Sequence, residues 1–117
     1  MNGKECRLAR LLGRSQKLVV AAKEHVGFMG TIGGLLDPAA ACKQLSKADA
    51  VLMMPGMIPK VAYLFTSPGS PPIITRLLWH SNYCFQWGYN ECRHAPILSV
   101  AEAVSKGADA VLASFSL

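Results

Sequence analysis

A chain of 117 residues, 51% apolar and only 16% charged, has the makeup of one modest packed domain and not of a disordered segment. Its net charge of +5 comes from basic residues scattered singly as far as Lys106, whereas nucleic-acid binding needs a stripe or patch, so no nucleic-acid partner is expected. No window approaches the roughly 20 apolar residues of a membrane span, and the N-terminus lacks the apolar core and cleavage site of a secretory signal, so a cytoplasmic protein without membrane partners is expected. The Arg-containing, acid-poor start also suits organelle transit. Without a secretory signal, the four widely spaced cysteines (Cys6, Cys42, Cys84, Cys92) are read as reduced thiols.

Leu8, Leu11 and Leu12 fall at helical spacing, predicting a short leading helix at about 5–14. "KLVVAA" (17–22) is continuously apolar, as strands buried on both faces of a parallel sheet are. A Gly-rich loop follows. Asp37 and Pro38 then supply an N-cap acid and a first-turn proline, predicting a helix through 39–46 that buries Ala41 and Leu45. Ala50 to Met54 reads as a strand closed by Pro55 and Gly56, and "MIPKVAYLF" as a helix that Pro59 starts. "SPGSPP" is a turn cluster and "IITRLLW" (73–79) a β-branched strand. His80 to Pro96 has no clear period and reads as a long loop. Ser99 with Glu102 forms a capping box for a helix that Gly107 stops, and "ADAVLASF" is the last strand.

One internal repeat stands out: "SKADAVLMM" (46–54) recurs as "SKGADAVLASF" (105–115) with one glycine inserted. Ala48 and Ala108 lie sixty positions apart, about twice the roughly 30 residues of one strand–helix unit of a (β/α)₈ barrel. The alternation of strands and helices is that of a parallel α/β architecture. A doubly wound sheet fits the same order, but no G-x-G-x-x-G follows the first strand.

These residues carry a resemblance. The opening "GKECRLARLLGRSQKLVVAAKEHVGFMGTIGGLLDP" resembles class I, Schiff-base aldolases of the archaeal fructose-bisphosphate aldolase type, a group of deoxyribose-phosphate-aldolase-like barrels. Their R-L-x-R-(I/L)-F helix is matched by Arg7, Leu8, Arg10 and Leu11-Leu12. Their strand end (M/F)-D-H-G and following G-P-x-x-G-L are matched by Lys23-Glu24-His25-Val26 and Gly30-Thr31-Ile32-Gly33-Gly34-Leu35. "ADAVLMMPGMI", "PPIITRLLWHSN" and "ILSVAEAVSKGADAVLASF" continue the likeness, which is weakest from Cys84 to His94. Two departures matter: Glu24 stands for the family's aspartate and Val26 for its glycine.

The resemblance implies an α/β fold of parallel (β/α) units, four strands of a TIM barrel forming a half barrel, with residues 1–117 as a single partial domain. A complete barrel of this kind has about 250 residues. The resemblance also implies a lyase of carbohydrate metabolism that cleaves a phosphorylated keto-sugar reversibly through a lysine imine, with no cofactor and no metal. The family's imine lysine, on its sixth strand, falls past Leu117, as do its phosphate site and proton-donating tyrosine, so this chain alone is expected to be inactive. The implied partners are a phosphorylated small-molecule substrate and either further copies in a homo-oligomer or a complementary half barrel.

Among individual residues, Glu24 is the foremost catalytic candidate. Barrel active sites lie where strands meet the following loops, and the family's acid there contacts substrate hydroxyls and moves protons. The extra methylene of Glu over Asp shifts the carboxylate by about 1 Å. The plainer reading is a charge at a strand end. His25, the second catalytic candidate, matches the family's histidine and is read mainly as orienting the loop through a hydrogen bond. Lys23 is a conceivable imine lysine, but strand alternation points it away from Glu24. Arg76, near the end of the third strand, is the substrate-binding candidate for a phosphate or carboxylate, against the alternative of a salt-bridged strand end.

His80, Cys84, Cys92 and His94 offer four zinc-type ligands, yet H-x₃-C-x₇-C-x-H lacks a C-x₂-C knuckle. Trp79, Tyr83, Phe85, Trp87 and Tyr89 are the stacking aromatics of a base-binding surface or, more simply, a core cap or interface cover. Two functions of other classes therefore stand beside the lyase: a non-catalytic half-barrel scaffold or remnant that self-associates, and a zinc-stabilised binding module.

Overall fold

The computed structural model describes residues 2–13, 16–30, 32–45, 47–81, 88 and 91–114. The leading helix α1 (Gly3–Leu12) begins two residues before the predicted start and ends two before the predicted end. Asn2 accepts from the Glu5 N–H while the Glu5 carboxylate takes the Asn2 N–H, a capping box that satisfies the first-turn donors. Gly13, at φ +55, ends the helix.

Four strands form one parallel sheet in the order β1-β2-β3-β6: β1 (Val20–Ala22), β2 (Ala50–Met53), β3 (Ile73–Arg76) and β6 (Ala110–Leu112). Between them lie α2 (Val26–Met29), α3 (Pro38–Lys43), α4 (Ile58–Val61) with a 3₁₀ turn at Ala62–Phe65, and α5 (Val100–Ser105). The expected α/β architecture of parallel strands and intervening helices is thus present. Asp37 caps α3 by accepting from the Ala39 and Ala40 N–H groups, and Ser99 with Glu102 caps α5. The last turn of α5 passes into Gly107 at φ +99, a conformation that favours glycine.

Three expectations need correction. The first strand is not buried on both faces: it is an edge strand, with Val19 68% and Val20 38% exposed. The segment 73–79 is not one strand, because the chain bends at Leu77, whose N–H donates to Leu112 O and whose carbonyl accepts from Ile97 N–H. Beyond the bend, β4 (Leu78–His80) pairs antiparallel with β5 (His94–Pro96), so both ends of the supposed long loop are strand. Residues 82–87 and 89–90 of that loop lie outside the described residues.

Side chains divide into two layers. Outward from β2 and β3, Val51, Met53 and Ile73 pack with Cys42, Ile58 and Val61 from the helices, and Leu45, Met57 and Phe65 close round them. On the other face, Ala50, Leu52 and Ile74 meet Ala110 and Leu112, with Leu11 of α1 against them. The second face is the inside of a barrel wall, and Glu24 continues its parity from Val20 and Ala22.

The internal repeat has a structural meaning. Asp49 Oδ2 accepts from the Val19 N–H at 2.8 Å, and Asp109 Oδ2 accepts from the Ile73 N–H at 3.1 Å. In each copy the aspartate before a strand clamps the start of the neighbouring strand. Asp109 is also bolted to Arg10 of α1 at 2.7 Å. Among the described residues, no helix is long and apolar enough to cross a membrane.

Candidate functional site

Carboxyl ends of parallel strands are where ligands bind in such folds. There, Glu24 follows β1 and Arg76 ends β3, separated by 52 positions in the chain and joined in space. Both are almost fully buried, at 5% and 4% exposure. Arg76 Nη1 lies 3.4 Å from Glu24 Oε1. Two charges are kept from water only when paired and hydrogen-bonded, and Arg76 has further partners. Its Nη2 lies 2.9 Å from His80 Nε2 and 2.5 Å from Ser114 Oγ.

An arginine only donates, so His80 Nε2 accepts and the ring carries its proton on Nδ1. Burial pushes the His80 pKa below its ordinary 6.5, and the charges of Arg76 and His94 push the same way against the pull of Glu24. His80 is therefore a neutral imidazole at neutral pH. Glu24 Oε2 has no hydrogen-bond partner among the described residues and sits 3.7 Å from His25 Nδ1. The site thus presents one carboxylate oxygen tethered by Arg76 and a second beside a half-exposed imidazole, a group able to exchange a proton with a bound molecule.

The remaining predicted residues fall elsewhere. Lys23 donates its backbone N–H to Leu52 O, and its ammonium lies on the helix side, where its charge pulls on the Cys42 thiol that burial pushes up. That is the side away from Glu24, as strand alternation requires. Cys92 Sγ lies 3.3 Å from His94 Nε2, and the His94 and His80 rings are 5.8 Å apart. Cys84 lies outside the described residues, and among those described no group of three His, Cys, Asp or Glu is placed to hold a metal ion. Cys6, Cys42 and Cys92 form no disulfide among the described residues. Of the aromatic cluster, Trp79 donates its indole N–H to Gly27 O, tying β4 to α2, while Tyr83, Phe85, Trp87 and Tyr89 lie outside the described residues.

Sequence reasoning missed Ser114 and placed His80 with zinc. No strand pattern pointed to them: the bend at Leu77 breaks the alternation between Arg76 and His80, and Ser114 lies past the end of β6.

The comparisons set this parallel α/β wall beside aldolases. No family model matches the chain. An uncharacterized aldolase of Saccharolobus solfataricus is 39% identical over 96% of this chain and 42% of its own length. An archaeal fructose-1,6-bisphosphate aldolase, solved with its catalytic lysine covalently bound to the carbinolamine intermediate of the substrate, superposes with TM-score 0.66 at 27% identity. The match covers 94% of this chain and 43% of that one. A further structure of an archaeal fructose 1,6-bisphosphate aldolase gives TM-score 0.62 at 27% identity over 94% and 42%. The likeness to aldolases therefore holds in sequence, and the likeness to archaeal fructose-bisphosphate aldolases holds in fold. The chain spans about two-fifths of the length of the relatives it matches, as a partial barrel.

Proposed function

We propose that residues 1–117 make up one partial barrel domain of a cytoplasmic aldolase-type lyase, acting on a phosphorylated keto-sugar through a lysine imine. The observation that carries this reading is the buried Glu24–Arg76 pair at the carboxyl ends of the parallel strands. Likeness to an aldolase whose catalytic lysine holds a carbinolamine supports the reaction class.

In such a reaction a lysine amine condenses with the substrate ketone and releases water. The iminium then accepts the electron pair of the breaking carbon–carbon bond, as a base takes the proton of the adjacent hydroxyl. Glu24 suits the base, because the buried Oε2 has no hydrogen-bond partner among the described residues while Arg76 fixes Oε1. His25, beside that oxygen, suits a group that binds the same hydroxyl or relays its proton. Arg76 holds the carboxylate and adds positive charge for an anionic substrate. The imine lysine, by the family resemblance, lies on a strand after residue 117.

Calorimetric titration of the chain with fructose 1,6-bisphosphate, followed by borohydride reduction, tests this. Binding should weaken about tenfold in the isosteric Glu24→Gln variant, equivalent to roughly 1.4 kcal/mol, with an unchanged circular dichroism spectrum. Borohydride should add no mass. A covalent adduct on a lysine of this chain would overturn the placement of the imine lysine elsewhere. Absence of any ketose-phosphate binding would overturn the lyase reading in favour of a second one, a non-catalytic half-barrel scaffold, which the two outer strands favour: neither has a partner on its open side among the described residues.

A further inference from the structure

The bend at Leu77 joins two side chains that a straight strand would hold apart. Residues four apart in an extended strand are separated by about 13 Å. Here Arg76 Nη2 and His80 Nε2 lie 2.9 Å from each other. The bend is fixed from two sides, since the Leu77 N–H donates to Leu112 O and its carbonyl accepts from the Ile97 N–H. Past the bend, the buried Ser81 fastens β4 to the other arm of the hairpin. Its N–H donates to Arg93 O at 3.0 Å, and its hydroxyl accepts from the Arg93 N–H at 2.8 Å. Trp79, next to His80, donates its indole N–H to Gly27 O at 3.0 Å, and the Gly27 N–H donates to Glu24 O at 3.0 Å. The same short strand thus delivers one imidazole to Arg76 and braces the turn that carries Glu24.

We propose that His80 is a positioning residue: it keeps Arg76 on one oxygen of Glu24, so that Oε2 is reserved for the proton of a bound hydroxyl. The role rests on the reading of Glu24 as the base.

The distances rank the partners of the arginine. Well-formed pairs of guanidinium and carboxylate lie about 2.7–2.9 Å apart, and the fork of an arginine commonly takes both oxygens. Arg76 does neither. It stands 3.4 Å from Glu24 Oε1, against 2.9 Å from His80 Nε2 and 2.5 Å from Ser114 Oγ. Nη2 is committed to two neutral acceptors, and the planar guanidinium cannot turn its Nη1–Nη2 fork onto the carboxylate without giving them up. Glu24 Oε2 accordingly has no hydrogen-bond partner among the described residues. Without the imidazole, closing on both oxygens becomes the better arrangement for Arg76, and the base is then occupied.

Protonation should undo the hold in the same way, because an imidazolium has no acceptor nitrogen. The charged groups around His80 are Arg76 from β3, His94 from β5 and Glu24 behind β1. Burial, Arg76 and His94 oppose its protonation, and only Glu24 favours it. The hold therefore persists through neutral pH and fails in acid.

Nitrogen-15 spectra of the free chain and calorimetric titration with fructose 1,6-bisphosphate test this. His80 should show the tautomer with Nε2 unprotonated, and the Arg76 Nη groups should give separate, slowly rotating signals. His80→Leu removes the acceptor, whereas His80→Gln returns an amide oxygen near the place of Nε2. Affinity should fall about tenfold in H80L and less than about threefold in H80Q, with unchanged circular dichroism. As pH falls below 6.5, wild-type affinity should drop more steeply than that of H80Q; the phosphates, His25 and His94 titrate in both, so the ratio isolates His80. Equal affinities in the two variants overturn the role, as does a ratio level with pH or an Nε2-protonated His80. If H80L does not fold, the ratio between wild type and H80Q decides. If the wild type binds no ketose phosphate, the lyase reading falls, and the Arg76 signals decide the role by themselves. They should merge in H80L and stay separate in H80Q; signals alike in all three chains overturn it.

Discussion

Strands of equal apolarity in this sheet live under opposite conditions. Every residue of β2 and β3 is buried, whereas β1 and β6 carry none that is. Yet Val-Ala-Ala and Ala-Val-Leu at the edges are as apolar as Ala-Val-Leu-Met at the centre. The difference teaches that burial here is set by place in the sheet and not by composition. An edge written in core residues is an edge meant to be covered.

The largest expected effect concerns the buried charged pair that ties centre to edge. Arg76→Met strands the buried Glu24 carboxylate and should cost about 4 kcal/mol in urea unfolding, while the double variant with Glu24→Gln recovers a good part of it. A loss below about 1 kcal/mol for the single variant would mean the pair does not hold β3 to β1. Next comes the direct contrast. Met53→Ala, at the centre of the helix-side layer, should cost about 3 kcal/mol, and Val20→Ala on the edge about 0.5 kcal/mol. Equal losses would abolish the distinction.

The repeat gives a finer contrast. Asp49 and Asp109 make the same clamp, but only Asp109 is also bonded to Arg10. Asp109→Ala should cost about 2 kcal/mol and Asp49→Ala about 1 kcal/mol, with Arg10→Ala removing most of the difference.

The smallest effect is in pH. His80 has a folded pKa below its ordinary 6.5, so the unfolded chain takes up its proton first as pH falls. Stability should be level above about pH 7 and decline as pH drops from 6.5 towards the folded value. His80→Gln should flatten that decline in thermal melts taken at successive pH values.

Elements with local chemistry were legible in the sequence. Asp37-Pro38 announces α3, Ser99 with Glu102 announces α5, and the uninterrupted apolar run from Ala50 announces β2, because caps and patterning act within a few residues. The bend at Leu77 was not legible, since it depends on Leu112 and Ile97 taking up its backbone groups. Nor was the exposure of β1, which depends on having one strand neighbour instead of two. At the site, Glu24 and Arg76 could each be singled out, but not their contact, which spans 52 positions. His80 and Ser114 were hidden for the same reason: their part in the cluster exists only once the strands are in register.

The Asp49 and Asp109 clamps also bear on how the chain finds its fold. They close loops of 30 and 36 positions, and chain entropy separates two such closures by only about 0.2 kcal/mol. The β1–β2 and β3–β6 units therefore have equal claims to form first, as parallel nuclei of the same design. The Arg10–Asp109 bond, spanning 99 positions, is a late contact that locks the order of assembly after the fact. Removing it should speed unfolding while leaving the refolding rate nearly unchanged, the kinetic mark of a bolt instead of a seed.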